Sequence, residues 1–455
     1  MRNSLSCFLF TLFTLGCGGP RRPDGASSQP VNASPPAATA IRVRQTGGPW
    51  QVYRLPDLAP VQTSAGRLPR IDRLLGLDQE TDQLFALTLR DELLAVDLLG
   101  GRVDTVATQV AAAVLGPDGT LYAIDRAHRV TTLKRRVRRV WPDSLPVAPR
   151  ELFGAADQRL LVVARGGDGR LVAASADQPP VASPLPLASD VTATLWGDVV
   201  AVAVDSGVTL LDPLARRAPA FVRLRDHPRA VAFSPAGHRL YVARRTAPGL
   251  AVLDRFTHDE LERVTLPAPA ALLRPDPLGR WLLAGPPSAD SVWLVHLPSR
   301  TLRGLVATPW DADLPAIAPD GTLLVRQADD AVAIDPDSLA ERARVQGGAA
   351  DLWLVSSWRP RGMPVPTAGT AAAAAEASGE GPVYVQVSVS QNRAWSTENA
   401  QQLARAGLPA RVLTPRSLED GYRVVLGPYP TRTEAEAIGR KLGRPFWIFQ
   451  AGGGP

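Results

Sequence analysis

The chain has 455 residues, of which 45% are hydrophobic and 21% charged, with two cysteines and a formal net charge of +6. This is ordinary globular composition, enough for two or three domains with large cores, and it excludes a chain disordered along its length. Lys134 and Lys441 are the only lysines and the arginines are scattered, so the positive charge marks no nucleic-acid-binding face.

Residues 1–16 carry one basic residue, Arg2, and then an apolar run through Leu5, Phe8, Leu12 and Leu15 that ends in small residues. That pattern is a secretory signal peptide. The run is roughly a dozen residues, short of the about 20 that span a bilayer. Thr14-Leu15-Gly16-Cys17 resembles the bacterial lipobox, in which cleavage precedes a lipidated cysteine. The resemblance implies a lipid on Cys17, loss of Cys7 with the signal, and a mature chain anchored to a membrane with no disulfide. Gly18 in place of Asp resembles the outer-membrane default, facing the periplasm. The alternative is an ordinary signal peptide with a chance cysteine. Residues 17–40 are rich in Gly, Pro, Ser and Ala without apolar periodicity and read as a tether.

Residues 41–360 are nearly all β: short β-branched and aliphatic runs separated by Pro/Gly/Asp turns. The runs repeat. Gly116-Pro117-Asp118-Gly119 precedes Leu121-Tyr122-Ala123, and the arrangement returns at Ser234–Gly237 before Leu240-Tyr241-Val242 and at Ala318–Gly321 before Leu323-Leu324-Val325. Degenerate copies lie at 76–88, 153–164, 195–204 and 274–284. A spacing of about 40 residues is that of a four-stranded propeller blade. Seven copies can be counted, with eight blades the alternative. Asp351–Val355 and Trp50–Arg54 are the candidate closing pair, because blades are apolar on both faces and must stack until a ring closes. Third strands commonly end in Asp, at Asp97, Asp212, Asp254 and Asp335, where the carboxylate can bond the backbone two residues on. The stretch resembles WD40-like and YVTN-type bacterial propellers, which implies architecture and little about activity.

One dense basic cluster, Lys134-Arg135-Arg136 with Arg138-Arg139, reads as a solvated outer strand or loop; its alternative is a contact with phosphate or acidic wall polymer. The histidines, His128, His227, His238, His258 and His296, recur at no common repeat position. With no phosphate loop, no Gly-x-Ser-x-Gly elbow and no His-Glu-x-x-His, the sequence points to no catalytic, metal or cofactor site. The propeller is expected to be a platform for an unidentified protein partner; a periplasmic hydrolase or lactonase is the alternative.

A second linker, residues 361–380, is followed by a small α+β domain over 381–450. Val383–Val389 alternates, placing the valines on one face and Tyr384, Gln386 and Ser388 on the other. Ser396–Asn399 opens a helix, Ala410–Thr414 and Tyr422–Leu426 are strands, Thr431 and Glu434 cap a helix running to Gly443, and Phe446–Gln450 closes the sheet. Two such units predict a split-βαβ fold with both helices on one sheet face. Tyr384-x-Gln386, Ser396-x-Glu398-Asn399-Ala400, Tyr422-Arg423-Val424-x-x-Gly427-Pro428-Tyr429 and Thr433-x-Ala435 together resemble the SPOR domain. The resemblance implies binding to septal peptidoglycan whose stem peptides have been removed, through the exposed sheet face, with Gln386 and Arg423 as contacts beside Tyr384 and Ser388. The family commonly has Gly-Ser where this chain has Ser388-Val389.

Overall fold

A computed structural model describes residues 38–358, less 62, 64–65, 80, 157, 165–168, 236, 278 and 298, and residues 383–450, less 391–395, 398–399, 401–402, 404–407, 415–421 and 442–445. The signal peptide, Cys17, most of the tether and the linker at 361–380 lie outside the described residues.

Residues 38–358 form eight four-stranded antiparallel sheets, one more than the seven copies counted in the sequence. Seven are continuous in sequence: blade 2 begins at Ile71, blade 3 at Val110, blade 4 at Pro149, blade 5 at Asp190, blade 6 at Pro228, blade 7 at Leu272 and blade 8 at Ala316. The remaining sheet, blade 1, takes its inner strand from Leu352–Ser356 and its other three from Thr39–Val43, Gln51–Arg54 and Ala59–Val61. The two expected closing strands both belong to it but do not pair with each other. Thr39–Val43 lies between them, with Ile41 opposite Leu354 on one side and Val52 on the other. The blade therefore begins at Thr39, inside the span read as tether.

Closure into a ring follows from strand alternation. In Gln83–Thr88 of blade 2, Leu84 and Ala86 pack with Ile41 and Val52 of blade 1, while Phe85 and Leu87 pack with Val110 and Leu121 of blade 3. Each successive pair of neighbours shares one such apolar wedge, and the last joins Leu324 and Ala333 of blade 8 to Ala40 and Trp353 of blade 1. Period-2 side chains buried on both faces are what a blade requires and what no isolated sheet could satisfy. Trp358, 2% exposed, latches the ring by donating from Nε1 to Asp82 of blade 2 at 2.7 Å, while its carbonyl accepts from Thr39 Oγ1.

The turn chemistry follows the sequence closely. Gly119, Gly237 and Gly321 adopt left-handed φ of 76°, 73° and 97° and close their turns by donating to Gly116, Ser234 and Ala318. Asp97, Asp212, Asp254 and Asp335 each accept the backbone N–H two residues on, at 3.1, 3.0, 2.8 and 2.8 Å.

The C-terminal sheet has the strand order Ala410–Leu413, Tyr422–Tyr429, Val383–Ser390, Trp447–Gln450, all antiparallel. One face carries an apolar core in which Val383, Val385, Val424 and Leu426 meet Ala400 and Leu403 of the first helical segment and Ala435 of the helix Arg432–Lys441. Thr431 caps that helix, its Oγ1 accepting from Glu434 N at 3.1 Å.

Candidate functional site

The sheet face opposite the helices is built by cross-strand register. Arg411, Val425, Gln386 and Trp447 fall in one row across the four strands. Gln386 is half-buried, and its amide makes no hydrogen bond among the described residues, leaving a donor and an acceptor for a ligand. Arg423, two residues from Val425 and so on the same face, is also half-buried. Tyr384 is only 6% exposed, and the guanidinium of exposed Arg411 stacks over its ring at 4.5 Å. Val425 is fully buried in the same row. The face is thus not the bare surface that alternation suggests, but a tyrosine and a valine set among partly exposed Gln386, Arg411 and Arg423.

Ser388 is not part of it. The pairing passes from Gln386 opposite Val425 to Ser388 opposite Val424, so the first strand carries one extra residue, Val387. This bulge turns Ser388 toward the side of Val424, which is a core residue, and Ser388 is 5% exposed. Sequence alternation misplaced it because the valine pattern runs unbroken through the bulge. Arg411 was missed for the converse reason: it is one polar residue in a short strand, and only the register places it beside Val425.

In the propeller the histidines lie apart. His128 and His258 occupy left-handed turn positions, His238 sits in the first turn of blade 6, and His296 packs on Trp281 with Nδ1 2.7 Å from Ser299. Among the described residues no group of three or more His, Cys, Asp or Glu side chains is arranged to hold a metal. Burial, reinforced by Arg239, holds the His238 pKa down at about 4. The unfolded chain takes up that proton near 6.5, so the folded state loses stability as pH falls from about 6.5 to about 4. Replacing His238 by Gln should flatten this limb of the melting temperature against pH; an unchanged acid limb would show that other groups set it.

Glu151 and Asp190, on neighbouring inner strands of blades 4 and 5, both have carboxyl pKa values raised by burial. Yet Asp190 is already engaged: its oxygens accept from Val191 N at 2.9 Å and, across the blade boundary, from Val231 N at 2.9 Å. Asp313 repeats the clamp, accepting from Trp353 N of blade 1 at 2.8 Å. These carboxylates join blades.

Residues 379–445 match the SPOR domain family. Such a domain supports peptidoglycan binding and a place in the cell envelope. The propeller resembles that of the dihydro-heme d1 dehydrogenase NirN, with a TM-score of 0.50 and 13% identity over 73% of this chain and 78% of that one. It also resembles AztD of Citrobacter koseri, with a TM-score of 0.51 and 11% identity over 71% of this chain and all of that one. At these identities the likeness establishes the propeller fold alone. No curated protein matches the chain in sequence. Among the described residues no helix is long and apolar enough to cross a membrane.

Proposed function

From a β-propeller joined in one chain to a SPOR domain, we propose a non-catalytic envelope lipoprotein, tethered by a lipid on Cys17 in the outer membrane, that holds denuded glycan strands at sites of division or wall maintenance. The propeller is its platform for a protein partner. The observation that carries the wall-binding reading is the register row of the C-terminal sheet, in which Gln386, whose amide is free, stands between Val425 and Trp447, with Arg423 two residues along the strand from Val425. An amide offers both a donor and an acceptor to sugar hydroxyls and acetamides, and a guanidinium offers a fork of donors. Arg411 is a further contact by position. The non-catalytic reading is supported by the engagement of Asp190 and Asp313 in blade-to-blade clamps.

Gln386→Ala with Arg423→Ala should weaken binding to amidase-treated sacculi by about tenfold or more, since a neutral hydrogen bond contributes about 1 kcal/mol and a charged one about 1.5–3. The melting temperature should move little, as both side chains are partly exposed. Equal sacculus binding by the double variant would remove these residues from the site. Arg411→Ala should add to the loss, whereas Ser388→Ala should act on stability and not on affinity.

A further inference from the structure

The outer wedge between blades 3 and 4 holds a groove of about 490 Å³ that the wall-binding role does not use. Its origin is in loop length. The third and fourth strands of blade 3 are joined by only Arg135-Arg136, and those of blade 4 by only Ala176-Asp177, whereas every other blade uses four to eight residues. In four of those blades the longer loop opens on a capping aspartate; here Lys134 and Ser175 stand in that place. The two tight hairpins leave the wedge open at this end.

Alternation then decides what faces it. From the fourth strand of blade 3, Val137, Arg139 and Trp141 line the groove, with Thr132 and Lys134 from the strand beside it. Arg159 of blade 4 and Arg216 of blade 5 contribute from the other side. Four cations therefore line the groove against one carboxylate, Asp177, which pairs with Arg139 at 2.7 Å; Lys134 pairs with Asp118 at 2.7 Å. Trp141 is 6% exposed and its ring stands edge-on to Tyr122 at 6.2 Å, while its Nε1–H is buried without a hydrogen-bond partner among the described residues. An indole N–H buried without an acceptor is costly. Beyond Trp141 a second cavity of about 180 Å³ continues the groove and is walled by Pro142, Leu145, Pro179 and Pro180, with Asp143 at its side.

We propose that this groove is a docking site for an extended peptide segment of a protein partner, with carboxylates at one end and apolar side chains at the other. The basic end matches the carboxylates, the Trp141 side chain, which lines both cavities, walls the junction, and the proline-walled end takes the apolar residues. Val137, 70% exposed on this edge strand, extends the apolar contact. The volume is that of an ordinary ligand site. An acidic glycan would satisfy the cations but has no aliphatic run for the second cavity, so the peptide is the better fit.

The test uses the full-length protein and three fluorescein-labelled probes followed by polarisation: Glu-Asp-Glu-Leu-Val-Leu, Lys-Arg-Lys-Leu-Val-Leu and an oligogalacturonate. Saturable binding of the acidic peptide, no binding of the basic one, a loss of tenfold or more in Arg139→Glu/Arg216→Glu and a loss of about threefold in Trp141→Phe are expected. Trp141→Phe keeps one six-membered ring and removes the N–H together with the pyrrole half of the indole, so its melting temperature is read beside its affinity and a variant that still folds cooperatively reports on the groove wall. Failure of the acidic peptide to saturate, unchanged affinity in both variants, or tighter binding of the oligogalacturonate than of the peptide would each overturn the assignment. Sacculus binding should be unaffected by either variant, which separates this site from the one on the SPOR domain.

Discussion

Deleting Thr39–Val43 from the full chain is expected to abolish the folded propeller. The strand is the second of blade 1 and bonds to both neighbours, so its loss leaves Leu352–Ser356 and Gln51–Arg54 facing each other across a gap with unpaired backbone groups. Ala40 and Ile41 are fully buried, Val43 is 1% exposed, and they are shared between two wedges: Ile41 and Val43 toward blade 2, Ala40 toward blade 8. Burial of the isoleucine and the valine alone is worth about 1.5–3 kcal/mol each, and the lost ladder adds to it. A whole domain is stable by about 5–15 kcal/mol. Trp358→Ala is the milder probe of the same latch, with an expected loss of about 3–5 kcal/mol. Thermal unfolding followed by circular dichroism decides the matter: a deletion variant that melts cooperatively at the parent temperature would show that the ring does not need this strand.

That same strand marks the limit of what the sequence discloses. Turn chemistry is local, so Gly119, Gly237 and Gly321 and the four capping aspartates could be read from a few neighbouring residues, and all of them behave as their types dictate. Seven blades are contiguous and therefore visible as repeats. The remaining one, blade 1, joins Thr39 to Ser356 across nearly the whole propeller; two of its strands are legible as a closing pair, but Thr39–Val43 between them is not. In the C-terminal sheet the alternation of Val383, Val385 and Val387 was legible, but the bulge at Val387 depends on the partner strand, and with it the fate of Ser388. The groove between blades 3 and 4 depends on a contrast in hairpin length that becomes meaningful only once the blades are aligned. What sequence conveys here is each element's own preference; what it withholds is which element lies alongside.

The second large effect belongs to Asp198 and Arg255, side chains 7% and 6% exposed that join blade 5 to blade 6. Both carboxylate oxygens of Asp198 accept from the guanidinium, Thr194 Oγ1 donates to Oδ1 at 2.6 Å, and Arg255 also donates to the Gly237 carbonyl and lies over Phe256 at 4.8 Å. Burial alone would raise the carboxyl pKa, but the attraction of Arg255 and these hydrogen bonds overcome it and hold the value below the usual range. A depressed carboxylate contributes stability above its unfolded pKa, about 3.9, and loses it as pH falls through the folded value. Arg255→Met should therefore cost about 3–5 kcal/mol at neutral pH, because it strands a buried charge. In that variant the carboxyl pKa is driven up instead, the folded state then binds the proton first, and the deficit should shrink as pH is lowered toward 5. Asp198→Leu combined with Arg255→Met should recover much of the loss, since an apolar replacement of a buried pair is often close to neutral. Equal stability of the parent and Arg255→Met at pH 7 would mean that the carboxylate is hydrated in solution and that the blades are held by their apolar wedge alone.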